Sequence, residues 1–450
     1  MKSLVFNLPV LTLLFTSGHG AADVIYSGLQ DISIPTTYGG TYIDVDGMTS
    51  QTSSFSGWDL NPYMGGVYLS NSADFQPARD GTGGMDTVLN IAAGSTINSG
   101  LNFATGSGGS IDHLGTEFTA GQEGYLGFKL NGTDYGSMRV VFTNNNAGAM
   151  IRDWAYDNTG AAIKTGWITT GIVSPTAHTV TLNPGTGDSF TLGSVLADAS
   201  GSITNSLVKN GTGTTTLSAV NTYTGATNVN AGKLTISSTG TINTSSGVTV
   251  AAGAKFVHNS STALTAAVTL NGNTTANRAV LGGTGTVGTS VTLDNLGDTL
   301  SPGNSPGIQN YTPAQTWASF SYDWEVNNFT GTTAGTDFDQ LGLASTLNLT
   351  GGSGAYILNV LGLTAGNVAG LVPDFSEINR SWTILTSTGI TGFNAANWTI
   401  DTAGFTDPDT GVWSISQSGN NLVLNYTIVP EPRAALLGGL GMLILLRRRR

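Results

Sequence analysis

Three pairs of carboxylates stand at spacings that chemistry could use. Asp44 and Asp46 precede Gly47, Asp337 and Asp339 flank Phe338, and Asp407 and Asp409 flank Pro408. Such pairs hold calcium together with turn carbonyls, or serve as acid and base in polysaccharide cleavage. Both roles need convergence in space; without it each pair is a solvated turn. The histidines, His19, His113, His178 and His258, sit alone in separate segments, and there is no cysteine, so no zinc-ligand spacing exists. Gly283-Thr284-Gly285-Thr286-Val287-Gly288 has the spelling of a dinucleotide fingerprint, but it lies in a Thr/Gly stretch with no following helix and reads as a turn. Trp58, Tyr63 and Trp154 could stack on sugars, although in a β-rich chain such rings are expected in the core. The expectation is therefore no enzyme, no cofactor, no metal and no catalytic residue.

The elements that would position these residues are strands. Gly, Thr, Ser and Asn dominate, with Val, Ile and Leu dispersed among them. Thr and Val favour strands; Gly and Asn favour tight turns. Without cysteine, backbone ladders and apolar stacks must supply the stability that disulfides would. The formal charge is −12. Lys2, Arg433 and Arg447 to Arg450 all lie in ends expected to be processed, so the mature chain is more acidic still. Nothing forms a basic stripe, which argues against nucleic acid as a partner.

Residues 23–196 alternate apolar and polar positions in segments such as Gly124 to Leu130, Tyr135 to Phe142 and Ile151 to Tyr156, separated by turn clusters. They read as an antiparallel β-sandwich. Residues 205–311 are built differently, from short Thr/Val/Leu strands separated by Gly and Asn. Residues 312–428 are richer in aromatics, with longer strands such as Phe320 to Val326. They read as wider final coils with a β-rich cap, or as a separate small β-sandwich.

The segment 207–236 carries Lys209-Asn210-Gly211-Thr212-Gly213-Thr214, then Asn221-Thr222-Tyr223-Thr224-Gly225-Ala226-Thr227, then Gly232-Lys233-Leu234. This resembles the autotransporter-associated β-strand repeat, with its Lys-x-Gly-x-Gly-Thr opening, Asn-x-Tyr-x-Gly-x-Thr centre and Gly-x-Leu end. The Ser301-Pro302-Gly303-Asn304-Ser305-Pro306-Gly307 loop also recurs in that family. The resemblance implies a right-handed parallel β-helix, with Leu217, Val229, Leu234 and Ile236 inward. One full consensus repeat is recognisable, so neighbouring coils must be built without it.

The ends read as addresses. Lys2, an apolar stretch from Leu4 to Phe15 and small residues up to Ala22 form the layout of a secretory signal peptide over 1–22. The segment 429–450 has three parts in order: Val429-Pro430-Glu431-Pro432, an apolar run from Ala434 to Leu446 expected as a short helix, and Arg447, Arg448, Arg449 and Arg450. The basic cluster would hold that end on the cytoplasmic side. The order resembles the PEP-CTERM sorting signal of Gram-negative bacteria. The block from Gly124 to Gly166 is similar to an N-terminal module recurrent in the same proteins. The resemblance implies an exosortase-type processing protease as partner, a membrane anchor before processing, and exopolysaccharide or another surface glycan as neighbour. The expected protein is all-β, exported to the envelope or cell surface, structural or adhesive, with a polysaccharide-binding or polysaccharide-cleaving β-helix as the alternative.

Overall fold

The computed structural model describes residues 22–106, 116–199 and 202–429. The signal-peptide segment before Ala22 and the tail from Pro430 to Arg450 lie outside the described residues.

The fold is a parallel β-helix grown onto an antiparallel sandwich. One sheet of 16 strands runs through both parts. Its antiparallel end contains Phe75–Arg79, Glu123–Leu130, Asp134–Val141 and Met150–Asp157. A four-stranded sheet of Thr49–Gln51, Tyr42–Asp44, Leu60–Tyr63 and Tyr68–Asn71 supplies the other layer. Between them Ile43, Leu69, Phe75, Phe128, Met138 and Trp154 form a closed core. The alternation read from the sequence is the cause: Leu126, Phe128 and Leu130 point to one face because side chains alternate along a strand.

The solenoid begins ahead of the repeat motif. Strand Ala22–Tyr26 pairs antiparallel with Met150–Asp157 on one side and parallel with Ser189–Leu192 on the other. The sandwich sheet thereby becomes the first face of the helix without a break. Likewise Ala177–Leu182 pairs parallel with Thr204–Lys209. From Ser189–Leu192 the parallel ladder passes through Thr214–Leu217, Gly232–Ile236, Ala254–His258, Ala279–Gly283, Asp294–Pro302, Ser319–Val326 and Tyr356–Gly362 to Trp398–Gly404. Register stacks Phe190, Thr215, Leu234, Phe256, Leu281, Leu300, Tyr322 and Leu358 in one inward column, so each coil buries its residue against the coils above and below. Beyond residue 312 the coils are wider and filled by Trp317, Trp324, Tyr356 and Trp382. An antiparallel hairpin, Val412–Ser418 with Asn421–Thr427, lies against Arg380–Thr386 and covers that sheet edge.

The repeat consensus has a structural explanation residue by residue. Lys209 is fully buried and donates to the carbonyls of Gly211 and Ala231, joining two coils. Burial lowers its pKa to about 8. Asn221 accepts from Leu196 N at 2.9 Å and donates to the carbonyls of Ala219 and Thr241 at 3.0 and 3.1 Å, tying three coils. Tyr223 is buried, with its hydroxyl 2.6 Å from Thr227 Oγ1, which in turn lies 2.9 Å from Ser245 Oγ. Bonded this fully, these polar groups do not carry the cost of unsatisfied burial. The pseudo-fingerprint at Gly283 to Gly288 is a coil corner: Gly283 ends one strand at φ 110° and Thr286–Val287 begins the next.

Candidate functional site

Of the residues expected to carry the sorting signal, only Val429 is described; it is exposed, just beyond strand Asn421–Thr427. Pro430, Glu431, Pro432 and Arg447 to Arg450 lie outside the described residues. Among those described, no helix is long and apolar enough to cross a membrane.

Two of the three carboxylate pairs join no cluster of three acids close enough to share an ion among the described residues. Asp337 closes a turn by accepting from Asn328 Nδ2 and Thr333 N. Asp407 accepts from Val372 N, and Asp409 from Trp413 Nε1. Asp339 is no solvated turn residue: it is fully buried, accepting from Gly307 N at 2.6 Å and Glu325 N at 3.1 Å. Burial holds its carboxyl well above the usual range, with Glu325 adding to the rise. It anchors the end of the 301–307 loop to strand Ser319–Val326.

The first pair does converge. Asp44 and Asp46 meet Asp59, with one oxygen from each within 4.8 Å of the others. Nothing in the local sequence marks Asp59 as their partner. The pairing of Ile43 with Leu60, and the bond from Asp59 N to Ile43 O at 2.7 Å, bring it alongside. Three carboxylate oxygens at this spacing are the donor type a calcium ion takes. Asp59 is buried and accepts from Val45 N at 2.8 Å. Burial raises its pKa to about 6; the Val45 bond opposes the rise and the charges of Asp46 and Asp44 add to it.

That shift has a definite sign. Between about pH 3.9, where the unfolded aspartate titrates, and about 6, the folded state holds a proton that the unfolded chain has released. Stability from this group therefore falls as pH rises through the window and stays lost above it. Asp59→Asn removes the cost while its amide oxygen still accepts from Val45. The variant should match the parent near pH 4 and exceed it by about 1–3 kcal/mol at pH 7. Urea unfolding at both pH values checks this; a difference that does not change with pH would show ordinary titration.

The aromatic expectations divide. Trp154 is buried and donates from Nε1 to Val45 O at 2.9 Å. Trp58 is half-buried, edge-on to Tyr42 at 5.2 Å, and half-buried Tyr63 stacks on Tyr68 at 5.3 Å. Arg139 and Asp153 pair across adjacent strands in a way the sequence did not disclose. Arg139 Nε donates to Asp153 Oδ1 at 2.8 Å, and Nη2 also reaches Thr170 O, pinning the sandwich to the first solenoid hairpin.

The outward face of the long sheet gathers several of the solenoid's charges. Lys233 and Lys255 are register partners on adjacent coils. Farther along, Arg278 Nη1 contacts both oxygens of Asp323 at 2.6 and 2.8 Å, and Asn359 Nδ2 donates to Asp323 Oδ1 at 2.6 Å. Asp401 follows in register with Asn359. Glu325, two residues beyond Asp323 on the same face, is held above its ordinary pKa by burial, against an opposing hydrogen bond from Ser305. These groups come from strands up to roughly 170 residues apart, and parallel stacking of about 4.8 Å per coil is what unites them. The adjoining Gly303-Asn304-Ser305-Pro306-Gly307 spells Gly-x-Ser-x-Gly. It leads into strand Ile308–Tyr311 instead of a helix, so the strand-to-helix turn of a hydrolase elbow is missing.

Residues 207–236 match the family described as passenger-associated-transport-repeat, an autotransporter-related repeat. That match covers this segment of the chain. No curated protein matches the sequence at a significant level.

Proposed function

We propose that this chain is an exported envelope or cell-surface protein with a structural or adhesive role, sorted through a PEP-CTERM-type segment at 429–450. The observation that carries the reading is a parallel ladder extending from Ser189 to Gly404 that contains a passenger-type repeat at 207–236. A solenoid of stacked coils is a stiff spacer, because each coil is held to its neighbours by a full row of backbone bonds. Its length holds the N-terminal sandwich away from whatever anchors the C-terminus. An exosortase-type protease acts near Pro430-Glu431-Pro432, and exopolysaccharide is the surface partner.

Replacing Pro430, Glu431 and Pro432 by alanine should leave the protein in the inner membrane with its tail attached. Cell fractionation and mass spectrometry of the mature C-terminus read the outcome. A variant with the parent's location and C-terminus would rule out sorting through this segment.

The chain binds and does not cleave. The alternative, a polysaccharide-cleaving solenoid, draws on the mixed row of Lys255, Asp323 and Glu325 on one face. General acid–base cleavage needs two positioned groups with separated pKa values, and Asp323 is already committed to Arg278 and Asn359. New reducing ends or unsaturated sugars released from acidic or neutral polysaccharides, and lost in Glu325→Gln, would favour the alternative.

A further inference from the structure

Lys233 and Lys255 occupy the same outward position on strands Gly232–Ile236 and Ala254–His258. At the spacing of adjacent parallel strands, about 4.8 Å, their side chains run next to each other. Like charges in register repel, and an anion between them removes the repulsion. Neither lysine belongs to an ion pair among the described residues. Lys255 lies across Gly282, where an added Cβ would stand 3.3 Å from its Cε, and its Nζ reaches Ser301 Oγ at 3.4 Å. Burial lowers its pKa, Glu325 and Asp323 oppose the fall, and Lys233 adds to it. Its ammonium is thus poorly solvated and weakly partnered.

The facing wall is the 301–307 loop. Gly303 is at φ 80° and Ser305 at φ 101°, a region that serine rarely adopts. Strain of this kind persists only where surrounding contacts hold it, and it clusters at ligand sites. Here Asp339 holds the loop's far end, and Gly283 and Gly303 exchange backbone bonds of 3.2 and 2.9 Å at its start. Lysines and loop enclose a depression of about 210 Å³. On the same sheet face a second depression of about 340 Å³ is lined by Arg278, Asp323, Asn359 and Asp401. The Arg278–Asp323 pair is internally neutral, so Asp401 leaves this stretch with one net negative charge beside its hydroxyl-bonding groups.

We infer that this face binds a carboxylated oligosaccharide, the sugar carboxylate resting between Lys233 and Lys255 and the hydroxyls of neighbouring rings meeting Glu325 and the Asp323–Asn359–Asp401 row. Coil Ala279–Gly283 presents only Val280 and Gly282 outward, so a saccharide laid along the solenoid axis crosses an apolar step between the lysines and the Thr299, Ser301, Ser321 and Asp323 groups beyond it. Glu325 and Asp401 disfavour a carboxylate on every ring, which selects alternating acidic and neutral sugars. The inference rests on the surface reading, which brings this face into contact with matrix glycans.

Isothermal titration of the full chain at physiological ionic strength tests it. The probes are hyaluronan hexasaccharide, in which glucuronate alternates with N-acetylglucosamine, and chitohexaose, which is neutral throughout. The parent should bind the first and not the second. Lys233→Ala and Lys255→Gln should each weaken binding by about tenfold or more, as expected for one lost hydrogen bond to a charged group. Thr214→Ala, in the same outward row, should leave it unchanged. If Lys255→Gln fails to fold by circular dichroism, exposed Lys233 still carries the test. Equal affinity in Lys233→Ala and parent, equal binding of both sugars, or no binding of hyaluronan hexasaccharide would each overturn the site. Fractionation is scored separately: a chain that stays inside the cell yet binds the hexasaccharide refutes surface display and leaves the site standing.

Discussion

Trp324→Ala is expected to destabilise the wide coils by about 3–5 kcal/mol, the range for truncating a buried tryptophan. Trp324 is fully buried in strand Ser319–Val326. Its ring lies 5.4 Å from Trp382, which stacks on Trp413 at 5.6 Å, so the cavity would open beneath the hairpin that covers the sheet edge. Its Nε1 also donates to Asp339 O at 2.8 Å, beside the carboxylate that anchors the 301–307 loop. Trp324→Phe keeps most of the volume and loses that bond, and should cost about 1–2 kcal/mol. Urea unfolding followed by circular dichroism distinguishes the two. If both variants unfold at the parent's midpoint, these coils add nothing to the cooperative unit.

Gly225→Val should cost about 1–3 kcal/mol through overpacking. Gly225 lies in the Asn-x-Tyr-x-Gly-x-Thr segment, where glycine could be required by a positive φ or by close backbone approach. The structure decides for the second. Gly225 is not among the residues at positive φ, but an added Cβ would overlap the carbonyl oxygen of Asn205 and the hydroxyl of Ser206 on the preceding coil. Gly225 N also donates to Asn205 O at 3.0 Å, and its own carbonyl accepts from Ser245 Oγ at 2.9 Å, so the chain cannot move away without breaking both bonds. Gly171, where nothing lies within 4 Å of an added Cβ, is the control; Gly171→Ala should be close to neutral. A melting temperature unchanged in Gly225→Val would mean that the coils separate more easily than this packing implies.

The all-β class and the antiparallel first zone were legible because each rests on local periodicity; the parallel coils were implied by the family resemblance of 207–236. Alternation in Gly124 to Leu130 gives a two-faced strand wherever it is placed. The short strands and glycine turns of 207–236 fit that coiled form. The inward set of Leu217, Val229, Leu234 and Ile236 is buried as the resemblance implied. What spacing could not convey is which coil lies above which, since register is a long-range property set by how inward columns stack. Asp59 beside Asp44 and Asp46, Arg139 opposite Asp153, and the gathering of Lys233, Lys255, Asp323, Glu325 and Asp401 on one face all depend on it. The few charges of the solenoid look sparse along the chain, where they lie tens of residues apart. Parallel stacking at about 4.8 Å per coil compresses that separation into a single polar face, and only the tertiary ladder could do so.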